Sequence, residues 1–437
     1  MLKKFFAIGS TIFIKFLSVF IAIYINRWLT NPDNLLPSEL RQFNLILVYN
    51  SILLGILSLG IPSLVQKFYT IEKDEKKYST FWTTILILQS FLYILGLFLI
   101  VLIFSFSNIQ NLALFLSLFT MQYVLQIDGN FRSICDTFGR SWQFSLTDFF
   151  AKLVIFFLLL ISGFVKLSIP YINYFVYASV YVYVIQFFVD WFWQRKYTLI
   201  SKFDFSIIKD NLNFFLYTGL ISLLIGLYST TDKWFIDFFG YSEYVLNGYS
   251  IAFKIIETLI IIPSLSVPII ASMAKKEVDN YLQNPNLFQS KILDKIRRYP
   301  FFKNLNNTHY IYVKWLLVSL FIGVFSSLIL FVFKEFIISV IDSQRIYFKE
   351  AKDSLSILLY TLVPVSIIFY INLILIFLNK EKQSFFIMLF ITIFTIILYY
   401  FLISEYGHIG AAIASLISIS IDSIIRLFFF YKTVRRI

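Results

Sequence analysis

Long apolar runs, each cut by a short polar or charged stretch, recur along all 437 residues of the chain. Dividing at the breaks predicts twelve spans, near 5–29, 42–66, 79–105, 109–128, 144–166, 171–193, 212–235, 246–273, 310–333, 354–378, 383–403 and 408–430. The runs lack the strict alternation of a barrel strand, and about 20 apolar residues are what a helix needs to cross the hydrocarbon core. The expected fold class is therefore all-α, a polytopic membrane protein whose backbone polar groups are satisfied within its helices.

Composition removes the soluble alternative. Hydrophobic residues make up 59% of the chain and charged residues 14%, with a mean hydropathy of +0.79, against about 25% charged in ordinary soluble domains. A single cysteine, Cys135, excludes an intrachain disulfide, and His309 and His408 lie too far apart in sequence to suggest a metal site with it. No cofactor, metal or nucleic-acid partner is expected. Lys3 and Lys4 precede a run too long for a signal peptide, so the first span is expected to be uncleaved.

Charge in the short loops orients the spans. With the N-terminus inside, 24 of the 37 basic residues fall on the inner side, including Arg195, Lys196, Lys202 and Lys209 after span six. Both termini are then cytoplasmic, and the location is the cytoplasmic membrane. The segment 334–353 fits worst, because it places Lys334, Arg345, Lys349 and Lys352 outside, offset by Glu335, Asp342, Glu350 and Asp353.

Compared with itself at an offset of 206, the chain sets "NRW" (26–28) on "DKW" (232–234), Phe43 on Tyr249 and Pro62 on Pro268. Later, "GRSWQ" ending at Gln143 faces "NKEKQ" ending at Gln383, at an offset of 240. One insertion of 34 residues, Lys275–Thr308, accounts for both offsets. We therefore expect two pseudo-symmetric six-helix bundles, residues 1–200 and 201–437, the second with a cytoplasmic insertion near 275–308. Parallel halves of this kind commonly bind substrate between them.

Ionisable residues inside spans are functional candidates by default, since each costs about 2.5–3.5 kcal/mol to insert. Lys15 lies halfway along span one, with Ser18, Ala22 and Asn26 on its face at helical steps. Asp232 and Lys233 close span seven, where snorkelling competes with a functional role. On span eight Lys254 and Glu257 are one turn apart, and on span five Asp148 and Lys152 are four apart, so internal ion pairs compete there. Span twelve carries a polar stripe of Ser415, Ser418, Asp422 and Arg426, with Arg426 expected to anchor the cytoplasmic end. Asp190, beside Trp191 and Trp193 at the end of span six, reads as part of an interfacial belt. No P-loop, GxSxG elbow or HExxH motif is present, so energy from ATP would need another subunit.

The stretch "TDKWFIDFFGYSEYVLNGYSIAFKIIETLIIIPSLSVPIIASMAKK" (231–276) resembles the polysaccharide flippases, the O-antigen and capsule exporters of the multidrug/oligosaccharidyl-lipid/polysaccharide (MOP) superfamily. "LGIPSLVQKFY" (59–69) and "YGHIGAAIASLIS" (406–418) extend the likeness across the chain. It implies a MATE-like, V-shaped fold with a central cleft, alternating inward and outward. It further implies a cleft lined by basic residues that bind a lipid pyrophosphate carrying an oligosaccharide. By position the substrate-binding candidates are Lys15, Asn26, Arg27, Arg41, Lys233 and Lys254, and the ion-coupling candidates are Asp232, Glu257 and Asp148. Partners so implied are the lipid-linked oligosaccharide, anionic membrane lipids at the 275–308 loop, and a polysaccharide polymerase or glycosyltransferases. Two alternatives remain: a cation-coupled antiporter of small molecules on the same fold, and a membrane-embedded polymerase or glycosyltransferase using the outer loop 334–353.

Overall fold

The structure is a computed structural model that describes residues 2–72, 74–106, 111–162, 169–260, 307–377 and 380–434. Every element among them is helical. In chain order they are α1 (Leu2–Thr30), α2 (Pro37–Ser58), α3 (Ile61–Ile71), α4 (Glu75–Phe106), α5 (Leu112–Thr137), α6 (Ser141–Ser162) and α7 (Tyr171–Trp193). There follow α8 (Phe205–Asp210), α9 (Leu212–Phe238), α10 (243–260), α11 (Asn307–Ile341), α12 (Phe348–Leu358), a short 3₁₀ turn (Leu359–Thr361), α13 (Leu362–Phe377) and α14 (Glu381–Val434).

Ten helical stretches among the described residues are long and apolar enough to span a bilayer. The last, Glu381–Lys432, is 52 residues long, far beyond the ~20 that one crossing needs. It is broken at Gly407 (φ 56°, ψ −131°), a conformation open only to glycine. Tyr399 and Ser415, eight residues on either side, share a hydrogen bond of 2.9 Å, so the two arms fold back on each other. Tyr241 secures the corner by donating to the carbonyl of Ile403 at 2.8 Å. The predicted spans 383–403 and 408–430 are those two arms. Span eight is described through residue 260 as α10; the rest of it, Pro268 and the insertion 275–308 lie outside the described residues.

Two predictions need correction. The span 42–66 is not one helix, because Leu59 (φ 47°) and Gly60 (φ 65°) are left-handed and separate α2 from α3. Thr218 of α9 donates to the Leu59 carbonyl at 3.1 Å and so holds the break, while Pro62 opens α3 where no backbone donor is needed. The segment 334–353 is also no long outer loop. α11 runs on to Ile341 and α12 begins at Phe348, leaving only 342–347 between them. Asp342 closes that turn by accepting the backbone N–H groups of Ile346 (3.1 Å) and Tyr347 (2.7 Å). Burial still pushes its carboxyl above the usual range.

Packing recurs in chain order. α1 lies on α6, α4 on α5 and α5 on α7; later, α9 lies on the first arm of α14, α11 on α13, and α13 on the second arm. α2 crosses to pack along α9, and small residues bring the two backbones together there. A Cβ on Gly55 would stand 2.8 Å from the Ser222 carbonyl oxygen, and one on Gly226 would stand 2.8 Å from that of Ser51. Gly55→Val is therefore expected to destabilise the protein by about 1–3 kcal/mol, seen as a lower Tm in detergent. Gly9→Ala, whose Cβ meets nothing within 4 Å, should leave Tm unchanged.

Candidate functional site

α1, α2, α10 and α11 enclose two adjoining pockets that share Asn26 and Ile341. The first has a cavity volume of about 10 Å³, and its polar lining is Asn26, Thr30, Asn44, Ser250 and Lys254. The second is lined by apolar side chains apart from Asn26 and Thr258. Among the described residues no carboxylate lines either pocket. Lys254 rests its ammonium over the face of Phe43, 5.1 Å from the ring centroid, an attraction that holds a cation without neutralising it. The Ser250 hydroxyl is buried with no partner among the described residues.

At the end of α2 facing the α9–α10 turn, the pocket wall is closed by polar contacts. Asn44 Nδ2 donates to Asn247 Oδ1 at 3.0 Å, and Asn247 Nδ2 donates to the Pro37 carbonyl at 2.9 Å. Thr30 donates to the Ile341 carbonyl at 2.7 Å. Arg41 pairs with Asp237 at 2.5 Å, joining α2 to α9. Arg27 is exposed.

Asp232 and Lys233 are not snorkelling to water. Asp232 is fully buried and accepts hydrogen bonds from Tyr249 and from the backbone N–H of Lys233. The Lys233 ammonium lies 4.2 Å from the centroid of Phe253 and within electrostatic reach of Lys254. Glu257 is exposed and makes no ion pair with Lys254 among the described residues. Lys15 is buried elsewhere, with Arg132, Asp136, Asp148 and Lys152 as its charged neighbours. Asp148 and Lys152 pair at 2.7 Å. Thus Asn26 and Lys254 share a pocket, Lys233 stands beside it, and Lys15 belongs to a separate charged group.

Two readings of the sequence are corrected by burial. Asp190 is no belt residue: only 1% exposed, it accepts from the Thr147 hydroxyl at 2.9 and 3.0 Å. Arg426 is no surface anchor. It is 1% exposed, pairs with Asp422 at 2.7 Å, and donates to Asn372 and to Ser384 (3.1 Å), tying α13 to both arms of α14. Sequence reasoning also passed over Asp128, which accepts from Gln186 at 2.6 Å, and Asn130, which donates to Gln89 at 2.8 Å. Both lie in the polar stretch QIDGNFR (126–132), where the predicted span 109–128 ends, whereas α5 runs on to Thr137.

No protein-family model matches the chain, and no characterised protein matches it by sequence. Its fold does match solved structures. A MOP superfamily transporter from Pyrococcus furiosus, described as having a binding pocket of reverse polarity that suggests a different function, superposes with a TM-score of 0.70 at 15% identity, covering 98% of this chain and 95% of that one. A multidrug resistance MATE family transporter of the same superfamily, in an outward-facing conformation, gives 0.67 at 15% identity over 98% and 96%. A mutant of the Vibrio cholerae MATE transporter VcmN gives 0.67 at 12% identity over 100% and 99%. The chain therefore has a MATE-like fold, and these structural neighbours are transporters rather than enzymes.

The Arg426 hub supplies a sharp test of burial. Removing one partner of a buried ion pair costs about 3–5 kcal/mol, whereas replacing both with apolar groups of similar volume is close to neutral. Arg426→Met should lower Tm steeply in a thermal melt, and adding Asp422→Leu should recover most of the loss.

Proposed function

We propose that this chain is a flippase that carries a lipid-pyrophosphate-linked oligosaccharide across the cytoplasmic membrane for surface polysaccharide assembly. The observation that carries this reading is the pocket between α1, α2, α10 and α11, whose only charged lining group among the described residues is Lys254. A diphosphate entering a region of low dielectric needs fixed positive charge, and Lys254 supplies it beside the amides of Asn26 and Asn44 and the hydroxyl of Ser250, which has no partner among the described residues. A cationic drug would meet no counter-charge on these walls. The description of the P. furiosus neighbour supports the idea that pocket polarity on this fold can differ with cargo.

In this reading Lys233 adds to the potential felt in the pocket, and Lys15 serves a second basic position on α1. Two six-helix halves, 1–200 and 201–437, move against each other about the pocket, with both termini in the cytoplasm. Glycosyltransferases supply the substrate and a polymerase consumes it on the far side. The six-residue turn at 342–347 leaves little outer backbone to build the enzyme alternative.

A charge-assisted contact to phosphate is worth about 1.5–3 kcal/mol, so Lys254→Ala should weaken substrate binding about 10- to 100-fold, with Lys254→Arg retaining more. Surface glycan measured in cells should fall correspondingly for Lys254→Ala and Lys15→Ala at wild-type protein abundance. Export like wild type in both would overturn the basic-pocket reading.

A further inference from the structure

Between α7 and α9 the chain forms a strap, residues 194–211, of which only the single short helix α8 is regular. It is firmly tied on one side. Tyr69 Oη donates to the Tyr197 carbonyl at 2.7 Å, and Trp191 Nε1 to that of Thr198 at 3.0 Å. The backbone N–H groups of Ser201 and Asp204 donate to the hydroxyls of Thr83 (2.8 Å) and Thr84 (3.0 Å) on α4. Tyr197 stacks on Phe138 with ring centroids 4.1 Å apart.

The other side is bare and apolar. Leu199, Ile200, Phe203, Phe205 and Leu212 are 59%, 65%, 47%, 63% and 62% exposed, although none lies within a spanning helix except Leu212 at the start of α9. A fixed segment that turns five large apolar side chains outward has a partner of matching chemistry. The strap's charges are Arg195, Lys196, Lys202 and Lys209 against Asp204 and Asp210, a net of +2 (four minus two). Lys196 pairs with Glu75 at 2.8 Å, whereas Lys202 and Lys209 are exposed and make no ion pair among the described residues.

Depth identifies the partner. α4 has no charged residue after Lys77, so the edge of the hydrocarbon layer falls soon after it. Thr83 and Thr84, which hold the strap, follow six and seven residues later, about 9–10 Å along the helix. That is the depth of the headgroup and upper acyl region, where interfacial segments bury apolar side chains while lysines reach outward.

We propose that the strap 194–211, with Leu212 that follows it, is a membrane-interface element that seats its apolar side chains in the bilayer surface and binds anionic phospholipid headgroups through Lys202 and Lys209. It is a surface distinct from the pocket, and it lies on the connection through which the two halves are joined. An aqueous protein partner is the competing occupant, and the two differ in what touches positions 199 and 203.

The test uses full-length protein in nanodiscs of phosphatidylcholine alone or mixed with phosphatidylglycerol. Leu199→Cys, Phe203→Cys and, as a water-exposed control, Lys77→Cys carry an environment-sensitive fluorophore; the buried Cys135 leaves the parent unlabelled. Blue-shifted emission, quenched by lipids spin-labelled near the headgroup, is expected at 199 and 203 and absent at 77. Native mass spectrometry of Lys202→Gln/Lys209→Gln should show loss of phosphatidylglycerol retained by the parent protein. Emission at 199 and 203 equal to that at 77 would overturn the interfacial placement. Undiminished phosphatidylglycerol on the double variant would overturn the headgroup assignment.

Discussion

Inside a hydrocarbon layer no water is available to satisfy a polar atom, so each amide, hydroxyl and charge on these helices must find its partner on the protein or face a wet pocket. Much of the architecture follows from that constraint. Asp190 with Thr147, Asp128 with Gln186, and Asn130 with Gln89 tie α4, α5, α6 and α7 together. Arg426 with Asp422, Asn372 and Ser384, and Tyr399 with Ser415, do the same for α13 and the two arms of α14. Apart from the Asp422–Arg426 pair within one turn of α14, each contact bridges two helices or the two arms of α14.

Partner satisfaction also explains where the candidate site lies. Along α2 and α9 the glycines let backbones meet, and little room remains. Between α1, α2, α10 and α11 the pocket holds Lys254 and a serine hydroxyl without a partner among the described residues. Buried polar atoms without a partner occur elsewhere too, as at Asn50 and Tyr228, but here one lies beside a buried ammonium, a combination that suits an anionic group. The flippase reading rests on that combination and on the absence of carboxylates from the pocket's described walls.

Helical class, multiple spans and the reversal near Gly407 were legible in the sequence because the bilayer imposes length and apolarity locally, within one segment at a time. Glycine after Tyr406, between two apolar runs, is read without knowing any neighbour. Pair partners were legible only at helical spacing, as for Asp148 with Lys152 and Asp422 with Arg426. Asp190 looked interfacial because two tryptophans lie close to it, and Arg426 looked like an anchor because span twelve ends soon after it. Both judgements measured distance along the chain, whereas burial depends on which helix packs alongside.

By itself the sequence determined a polytopic α-helical membrane protein and a set of charges too costly to be idle. Tertiary structure decided which charges meet. It put Asn26 and Lys254 in one pocket, sent Lys15 to another group, engaged Arg41 with Asp237, and shortened the presumed outer loop to a turn capped by Asp342. The division has one physical cause. Membrane insertion is a property of each segment's own composition, while the dielectric surroundings and partners of a side chain belong to contacts between segments distant in sequence.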